Sequence, residues 1–546
     1  GAGILKTYTD FKTASTYKEA GLLAKKAGTD TEIPVGASFR QLPDYVRAGQ
    51  LEESVLEESV RRVLKVKFEY GLFENPYVDE DMVMEQMGNE EKNHLSEKIA
   101  GDSIVLLKNN GVLPLKKGRK LAVIGPHADS LRYPVSGYTF PAYVEMLDAA
   151  GKGAEVSIGG MADEAKKKNQ GSVSPFEAFS KGLSAEDKKR IGDMTQVLRN
   201  MGSRSLKEVL EERFDVVYAE GCKITGTDET GILEAVEAAS NSDVVILACG
   251  GNCGWVDVTG GEGKDRCTLE LPGVQQKLLE AVAETGKPVI MILYGPGIFA
   301  LPWACEHVSA MIQAWMPAGL LSWHLPGQYA GKVVADVLDG TRNPGGKLTT
   351  TIPRSVGQTP VTYNHRRGSG FASKRTDAGS LIFSGGYVDQ SDQPLFMFGH
   401  GLSYTTFLVD QFDLESDQVP TDGQICVSCC VKNTGDREGD ETVQLYYRTR
   451  GAHVIRPVKQ LAGFKRISLK PGEAKKILFT LKTSQLGYYN EDMRFVVEPV
   501  KMDLMIGTSA DKILYEKELL LTGKTVEIMG RRSYSCQTEV SEVIVS

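Results

Sequence analysis

Four short apolar runs constrain the fold of this chain more than any other feature. They lie at 121–125, 244–249, 289–293 and 310–315. Strands that are buried on both faces have this continuous apolar character, which is typical of parallel sheets covered by helices. Most of the runs are followed by stretches with helical spacing. With two further runs at 103–107 and 215–218, they predict a largely parallel α/β sheet.

The predicted sheet belongs to a domain that we place at 99–406, with a helix-prone insertion at 151–213. Beyond residue 407 the pattern changes to short strands separated by turn sequences. The expected strands lie at 425–431, 441–447, 475–481 and 502–507. Evenly spaced strands of this kind predict an antiparallel β-sandwich over 407–524. We expect 525–546 to be a weakly structured tail.

The first 74 residues alternate between helical and extended patterns. Apolar residues at helical spacing predict helices at 17–27 and 51–70, and Gly71 is a good terminator for the second. A short strand is expected at 29–34. Residues 75–98 read as a linker to the α/β domain.

The composition argues against several classes of function. The 546 residues carry a formal charge of −8 and a pI near 5.6, which disfavours nucleic acid or an anionic membrane as a main partner. No segment approaches the roughly 18 apolar residues of a membrane span. The histidines lack metal-binding spacing and no phosphate or dinucleotide loop is present, so we expect neither a metal nor a cofactor. Nine cysteines do not indicate a disulfide framework, and without a signal pattern the compartment stays open, with the cytoplasm preferred.

One carboxylate stands out in a glycine-rich stretch after the second apolar run. Glu262 has glycines at 254, 260, 261 and 263 around it, and a helix-like segment follows at 275–283. Glycines let a loop project a side chain away from its domain. The pattern makes Glu262 a candidate for proton transfer. A solvated glutamate in a surface turn is the simpler interpretation of the same residues.

Several motifs, read together and in order, resemble glycoside hydrolase family 3 in its β-glucosidase and β-xylosidase branch. They include Gly-Tyr-Thr-Phe-Pro-Ala-Tyr-Val-Glu at 137–145 and Phe-Gly-His-Gly-Leu-Ser-Tyr at 398–404. The other matching strings lie at 61–67, 71–79, 103–115, 122–129, 301–303, 346–353 and 431–435. The resemblance extends from residue 1 to about residue 522.

The resemblance implies a fold of three parts: a (β/α)₈ barrel, an α/β sandwich domain and a fibronectin type III-like domain. It also implies an exo-acting, retaining β-glycosidase that removes terminal β-glucose or β-xylose from a small glycoside or an oligosaccharide. In such an enzyme the nucleophile is an Asp of the barrel and the acid/base is a Glu on a loop of the second domain. By motif match, Glu262 is the acid/base. Retention requires the two carboxyl groups to lie about 5 Å apart.

The beginning of the chain departs from the family pattern. The family's nucleophile motif is commonly followed by Gly-Ala, and this chain opens with Gly1-Ala2. We therefore expect residues 1–74 to be the last strands and helices of the barrel, with the nucleophile upstream of Gly1. The rest of the barrel would then belong to a second chain or a precursor segment. The alternative takes 4–9 as strand seven and Asp10 as the nucleophile, but the residues after Asp10 do not match Gly-Ala.

Four further residues are candidates for substrate binding. Asp30 and Glu32 fall at the expected end of strand eight, where either carboxylate would hold sugar hydroxyls; a helix cap or a salt bridge explains them equally well. Trp255 is placed to stack on a sugar face, or else to pack in the core. Arg266 would orient or tune Glu262, or would only brace its loop. A non-catalytic carbohydrate-binding or scaffold protein of the same family is the alternative function, and a homo-oligomer is compatible with either.

Overall fold

The computed structural model describes residues 3–33, 36–82, 85, 89–139, 141–142, 144–146, 194–200, 202–317, 329–366, 387 and 389–543. The chain divides into two compact units. The first comprises Gly1–Asn89 and Val144–Gly192, and the second comprises Glu90–Tyr143 and Asp193–Ser546. Most of the predicted insertion, at 151–193, and the first two residues lie outside the described residues.

The N-terminal unit is helical where it is described. Its helices are α1 (Gly3–Thr9), α2 (Tyr17–Lys26), α3 (Leu42–Arg47) and α4 (Glu53–Glu69), with a 3₁₀ helix at Phe39–Gln41. The helices predicted at 17–27 and 51–70 are therefore confirmed.

Two strand predictions in this unit are wrong. Residues 29–33 have no regular structure, and α1 occupies the segment that the alternative interpretation made strand seven. A strand needs a neighbour to satisfy its backbone groups, and the described residues of this unit contain none. Helical hydrogen bonds satisfy the backbone of α1 locally. Asp10 therefore follows a helix rather than ending a strand.

The α/β domain is built on one six-stranded sheet. Its strands are β1 (Val105–Asn109), β2 (Lys120–Ile124), β3 (Asp215–Ala219), β4 (Val244–Gly250), β5 (Val289–Tyr294) and β6 (Ala310–Trp315). The spatial order is β1-β6-β5-β4-β2-β3, with β1 antiparallel to β6 and the other neighbours parallel. The largely parallel sheet expected from the apolar runs is thus confirmed.

Helices cover both faces of this sheet, as its apolar strands require. They are α5 (Glu90–Ser103), α6 (Met194–Asn200), α7 (Leu206–Glu211), α8 (Ile232–Ser240), α9 (Gln275–Ala283), α10 (Pro302–His307) and α11 (Ala330–Asp339). Alternate residues of β4 enter separate cores: Leu247 packs with residues of α8 and α9, whereas Ile246 packs with residues of α7 and α11. Helix α5 begins at Glu90, inside the segment predicted to be a linker.

The order of the parallel strands reverses between β2 and β4. The chain passes from β2 outward to β3, then returns to place β4 on the other side of β2. In open α/β sheets, ligands bind at such a reversal, outside the carboxyl ends of the strands. A ligand site is therefore expected at the loops that follow β2 and β4.

The C-terminal domain is a predominantly antiparallel β-sandwich, as predicted. Its strands are β7 (Phe407–Leu414), β8 (Gln418–Pro420), β9 (Gln424–Asn433), β10 (Gly439–Arg450), β11 (Gln460–Leu469), β12 (Ala474–Lys482), β13 (Tyr488–Tyr489), β14 (Phe495–Val497), β15 (Lys501–Gly507), β16 (Ile513–Thr522), β17 (Val526–Glu527) and β18 (Gln537–Glu542). The two main sheets have the orders β11-β10-β15-β16-β8 and β18-β12-β9-β7, and a small third sheet has the order β13-β14-β17. One apolar core draws on strands of all three sheets.

The prediction of a weakly structured tail is wrong. Strand β18 pairs antiparallel with β12 from Gln537 to Glu542 and forms the edge of the four-stranded sheet. Strand β17 likewise pairs with β14. An edge strand is held by main-chain hydrogen bonds and has to bury little side-chain surface. The polar sequence of this segment therefore gave no apolar signal.

Candidate active site

Glu262 lies in the loop that follows β4, at the point where the strand order reverses. Gly261 and Lys264 exchange backbone hydrogen bonds of 3.2 and 3.1 Å, so Glu262 and Gly263 are the two central residues of a tight turn. Gly263 has a φ of +66°, which suits a glycine at the second central position. The Glu262 side chain is exposed at this turn. The glycines thus present one carboxylate to the outside of the domain.

The beginning of this loop is closed by hydrogen bonds between Asn252 and Thr259. The backbone N–H of Asn252 donates to the Thr259 hydroxyl at 2.9 Å, and the backbone N–H of Thr259 donates to the backbone carbonyl of Asn252 at 3.0 Å. The buried Asn252 side chain also donates to the carbonyls of Val256 and Asp257. The only sign of this closure in the sequence is an asparagine two residues after the strand β4.

His127 supports the same loop from the end of β2. Its Nε2 lies 3.0 Å from the Gly251 carbonyl, which can only accept, so this nitrogen carries the proton. The ring stacks on Tyr294 with centroids 5.0 Å apart. Burial lowers the pKa of His127 to about 4, despite the hydrogen bond to Gly251 that acts in the opposite direction. A neutral, fully buried histidine therefore joins the ends of β2, β4 and β5, a role that the sequence did not reveal.

Tyr138, in the loop after β2, contacts the candidate acid directly. Its phenol donates a hydrogen bond to Oε2 of Glu262. This bond is the largest cause of a raised pKa of Tyr138, since ionising the phenol would remove the donor and place two negative charges together. The motif at 137–145 contributed to the family resemblance, but no role followed for Tyr138 itself.

Trp255 and Arg266 flank Glu262 in the same loop. Trp255, which lies between Asn252 and Thr259 in the sequence, is half-buried. Its indole N–H has no hydrogen-bond partner in the described part of the chain. The Arg266 guanidinium lies over the Phe299 ring, 5.4 Å from its centroid, and donates to the Glu270 carbonyl. These contacts favour the interpretation of Arg266 as a brace for the loop.

Asp10, Asp30 and Glu32 belong to the N-terminal unit. Asp10 is exposed after α1. Asp30 accepts hydrogen bonds from Arg62 at 2.7 Å and from Ser59 at 2.6 Å, both on α4, and these bonds lower the pKa of Asp30 to about 2.

Glu32 has a separate local role. Its carboxylate accepts from the backbone N–H groups of Ser38 and Phe39 at 2.9 and 2.8 Å, and so caps the 3₁₀ helix. A salt bridge and a helix cap thus account for Asp30 and Glu32.

The described residues contain no group of three or more His, Cys, Asp or Glu side chains that could hold a metal ion. In the same part of the chain, no helix is both long and apolar enough to cross a membrane.

Comparison with known families identifies the α/β domain and the sandwich. Residues 104–404 match the glycosyl hydrolase family 3 C-terminal domain, and residues 441–510 match the fibronectin type III-like domain. The chain belongs to glycoside hydrolase family 3. The Glu262 loop lies within the first of these matches, and the predicted fold class of an α/β domain followed by a fibronectin type III-like sandwich is confirmed.

Two curated enzymes are similar to this chain in sequence. The chain is 32% identical over 521 residues to a periplasmic β-glucosidase of Salmonella typhimurium, covering 94% of this chain and 61% of that protein. It is 34% identical over 518 residues to a β-xylosidase of Formosa agariphila, covering 91% and 60%. The chain therefore spans about three fifths of the length of these relatives.

Solved β-glucosidase structures share the fold. A β-glucosidase from Listeria innocua in complex with glucose superimposes with a TM-score of 0.74 at 26% identity, covering 96% of this chain and 62% of that one. The same enzyme in complex with isofagomine gives a TM-score of 0.75.

Proposed function

We propose that this chain is part of a retaining β-glycosidase that releases terminal β-glucose or β-xylose, with Glu262 as its general acid/base. The observation that carries the proposal is the placement of Glu262. The exposed Glu262 carboxylate stands at a central position of a tight turn after β4, where the strand order of an open α/β sheet reverses. Membership of family 3 supports the reaction class, and the names of the relatives support the two sugars.

In the proposed reaction Glu262 moves one proton in each of two steps. In the first, it protonates the glycosidic oxygen as the bond to the leaving group breaks, and the nucleophilic carboxylate forms a bond to the anomeric carbon. In the second, Glu262 takes a proton from water as the water displaces that carboxylate. The sugar leaves with its original anomeric configuration, and both carboxyl groups return to their starting states.

We propose that the nucleophile lies on a polypeptide segment outside these 546 residues. The contacts of the three acidic candidates in the N-terminal unit give little support for any of them as the nucleophile. Asp10 follows a helix, Asp30 is bound by Arg62, and Glu32 caps the 3₁₀ helix. The curated relatives are also longer than this chain, which leaves room for such a segment.

The test is a leaving-group comparison in the complete enzyme, meaning this chain together with the segment that supplies the nucleophile. Glu262→Gln removes the transferable proton and retains the side-chain shape. For a β-glycoside with a poor, alkyl leaving group, kcat/KM should fall by roughly 10²- to 10⁴-fold. A dinitrophenyl glycoside needs no protonation of its leaving group, so its rate of glycosidic bond cleavage should change little.

Glu270→Gln is the matched control, because Glu270 is an exposed acid of the same loop whose bond to Arg266 comes from its main chain. Its rates should match those of the wild type with both substrates. Equal losses on both substrates in Glu262→Gln would remove the acid/base assignment. A complete enzyme that binds glycosides without cleaving them would favour the non-catalytic alternative.

A further inference from the structure

Tyr138 and Glu262 meet although 124 residues separate them in the sequence. We propose that Tyr138 is a positioning residue for proton transfer: its phenol holds one oxygen of the Glu262 carboxylate and leaves the other to face the glycosidic oxygen. The inference rests on the proposed role of Glu262 and goes beyond it, since it assigns a function to the loop after β2.

Tyr138 projects from a turn that is otherwise buried. The described neighbours at 134–137 and at 139 are buried, whereas the Tyr138 side chain is 60% exposed. The Thr139 hydroxyl donates to the Ser136 carbonyl at 2.8 Å inside this turn, and Arg132 donates to the Val135 carbonyl at 3.2 Å. The backbone that carries the exposed ring is thus held in place, and the hydrogen bond to Glu262 fixes the ring at its hydroxyl end.

The loops after β2 and β4 also touch at a second place. Arg132 donates to the Cys253 carbonyl at 3.2 Å, so one arginine connects both loops. A Cβ at Gly137 would lie only 3.0 Å from the Cys253 sulfur, and the absence of a side chain at 137 therefore allows the close approach. The contact between Tyr138 and Glu262 thus lies beside an interface that the two backbones already form.

The hydrogen bond from Tyr138 gives the two oxygens of the Glu262 carboxylate different surroundings. The phenol O–H donates to Oε2, whereas no group in the described ranges is hydrogen-bonded to Oε1. Oε1 is therefore the oxygen that is available to exchange a proton with substrate or water. The hydrogen bond to Glu262, followed by burial, raises the pKa of Tyr138 and keeps the phenol protonated and able to donate. Tyr138 would then hold Glu262 in one orientation through both steps.

The hydrogen bond itself can be tested without enzymatic activity. Tetranitromethane nitrates tyrosine through its phenolate, and peptide mass spectrometry reports the rate at each tyrosine. Glu262→Gln removes the charge beside Tyr138, so nitration of Tyr138 should become several-fold faster. Tyr489 is 50% exposed in the sandwich and is the internal control, with an unchanged rate. Equal rates at Tyr138 in both proteins would overturn the proposed bond.

The positioning role is tested with Tyr138→Phe in the complete enzyme. The ring is kept, so a contact with the sugar face survives and only the donor is lost. We expect kcat/KM for an alkyl glycoside to fall roughly tenfold, as befits one hydrogen bond to a charged group, with little change for a dinitrophenyl glycoside. Tyr489→Phe should behave as the wild type.

The outcomes separate the two proposals. Equal losses on both substrates in Tyr138→Phe, or no loss on either, would overturn positioning while Glu262→Gln still showed its leaving-group dependence. If Glu262→Gln lacked that dependence, the proposed function would fail and the positioning role with it, although the nitration result would still report the bond.

Discussion

Two amphipathic helices of this chain differ in how many of their residues are buried. Helix α11, 10 residues long, buries eight of them against the core of the α/β sheet. Helix α4 is longer, at 17 residues, yet only Ser59 is buried, and Val66 and Phe68 are 51% and 61% exposed. The α/β domain therefore completes its own core, whereas the N-terminal unit leaves the apolar side chains of its longest described helix in contact with solvent.

The same difference separates the polar groups of the two regions. In the α/β domain the buried His127 and Asn252 stabilise a loop that presents Glu262. In the N-terminal unit Asp30 and Glu32 stabilise the unit itself. Polar side chains thus organise a candidate site in one region and only the local fold in the other.

The largest expected effect is on core packing. Leu247→Ala in β4 should lower the free energy of unfolding by about 2–5 kcal/mol, because it leaves a cavity in a core where Leu247 is fully buried. Leu64→Ala on α4 makes the same chemical change at a side chain that is 38% exposed, and should cost less, about 1 kcal/mol. Denaturant unfolding measures both. Similar costs for the two variants would contradict the difference in burial.

A second prediction concerns the pH dependence of the α/β domain. The pKa of His127 is about 4 in the folded chain, below its ordinary value of 6.5. Between these two pH values the unfolded chain binds a proton that the folded chain excludes. The contribution of His127 to the free energy of unfolding is therefore fully present above pH 6.5 and decreases as the pH falls towards 4. In His127→Gln, the decrease in the free energy of unfolding between pH 6.5 and pH 4 should be smaller by roughly 3 kcal/mol.

His453, an exposed histidine of the sandwich, supplies the control. His453→Gln should retain the pH dependence of the wild type in denaturant titrations at pH 7, 5.5 and 4. If His127→Gln retained it as well, the neutral, buried state of His127 would be wrong.

The smallest effect is expected at the cap in the N-terminal unit. Glu32→Ala removes the acceptor for the Ser38 and Phe39 amides and should cost about 1 kcal/mol locally. Hydrogen exchange of a peptide covering 36–42 should become faster, while peptides from β4 should keep their protection. Unchanged exchange at 36–42 would show that the cap contributes nothing to this unit.

Much of the fold could be predicted because the strands of the sheet carry a continuous apolar signal. The runs at 121–125 and 244–249 correspond to β2 and β4 within one residue at each end. The segment at 4–9 failed, because a short apolar pattern does not by itself distinguish a helix from a strand. Strand β18 failed for the opposite reason, since main-chain pairing at an edge leaves no apolar pattern to read.

The candidate site could be predicted only in part. Glu262 was recognisable because glycines surround it within a few positions. Tyr138 and His127 act across more than 120 residues of sequence, and their partners are fixed only when β2 and β4 become neighbours in the sheet. Local patterns carry no information about such contacts, so the sequence indicated the acid but not the groups that hold it.

The most direct test of the account is the product that the Glu262→Ala variant of the complete enzyme forms from a dinitrophenyl β-glycoside in the presence of azide. The glycosyl-enzyme should still form, and water should then react slowly because its general base is missing. Azide needs no base, so turnover should recover and NMR should identify a β-glycosyl azide. Hydrolysis that azide does not accelerate, with no glycosyl azide formed, would contradict the role of Glu262 as the acid/base.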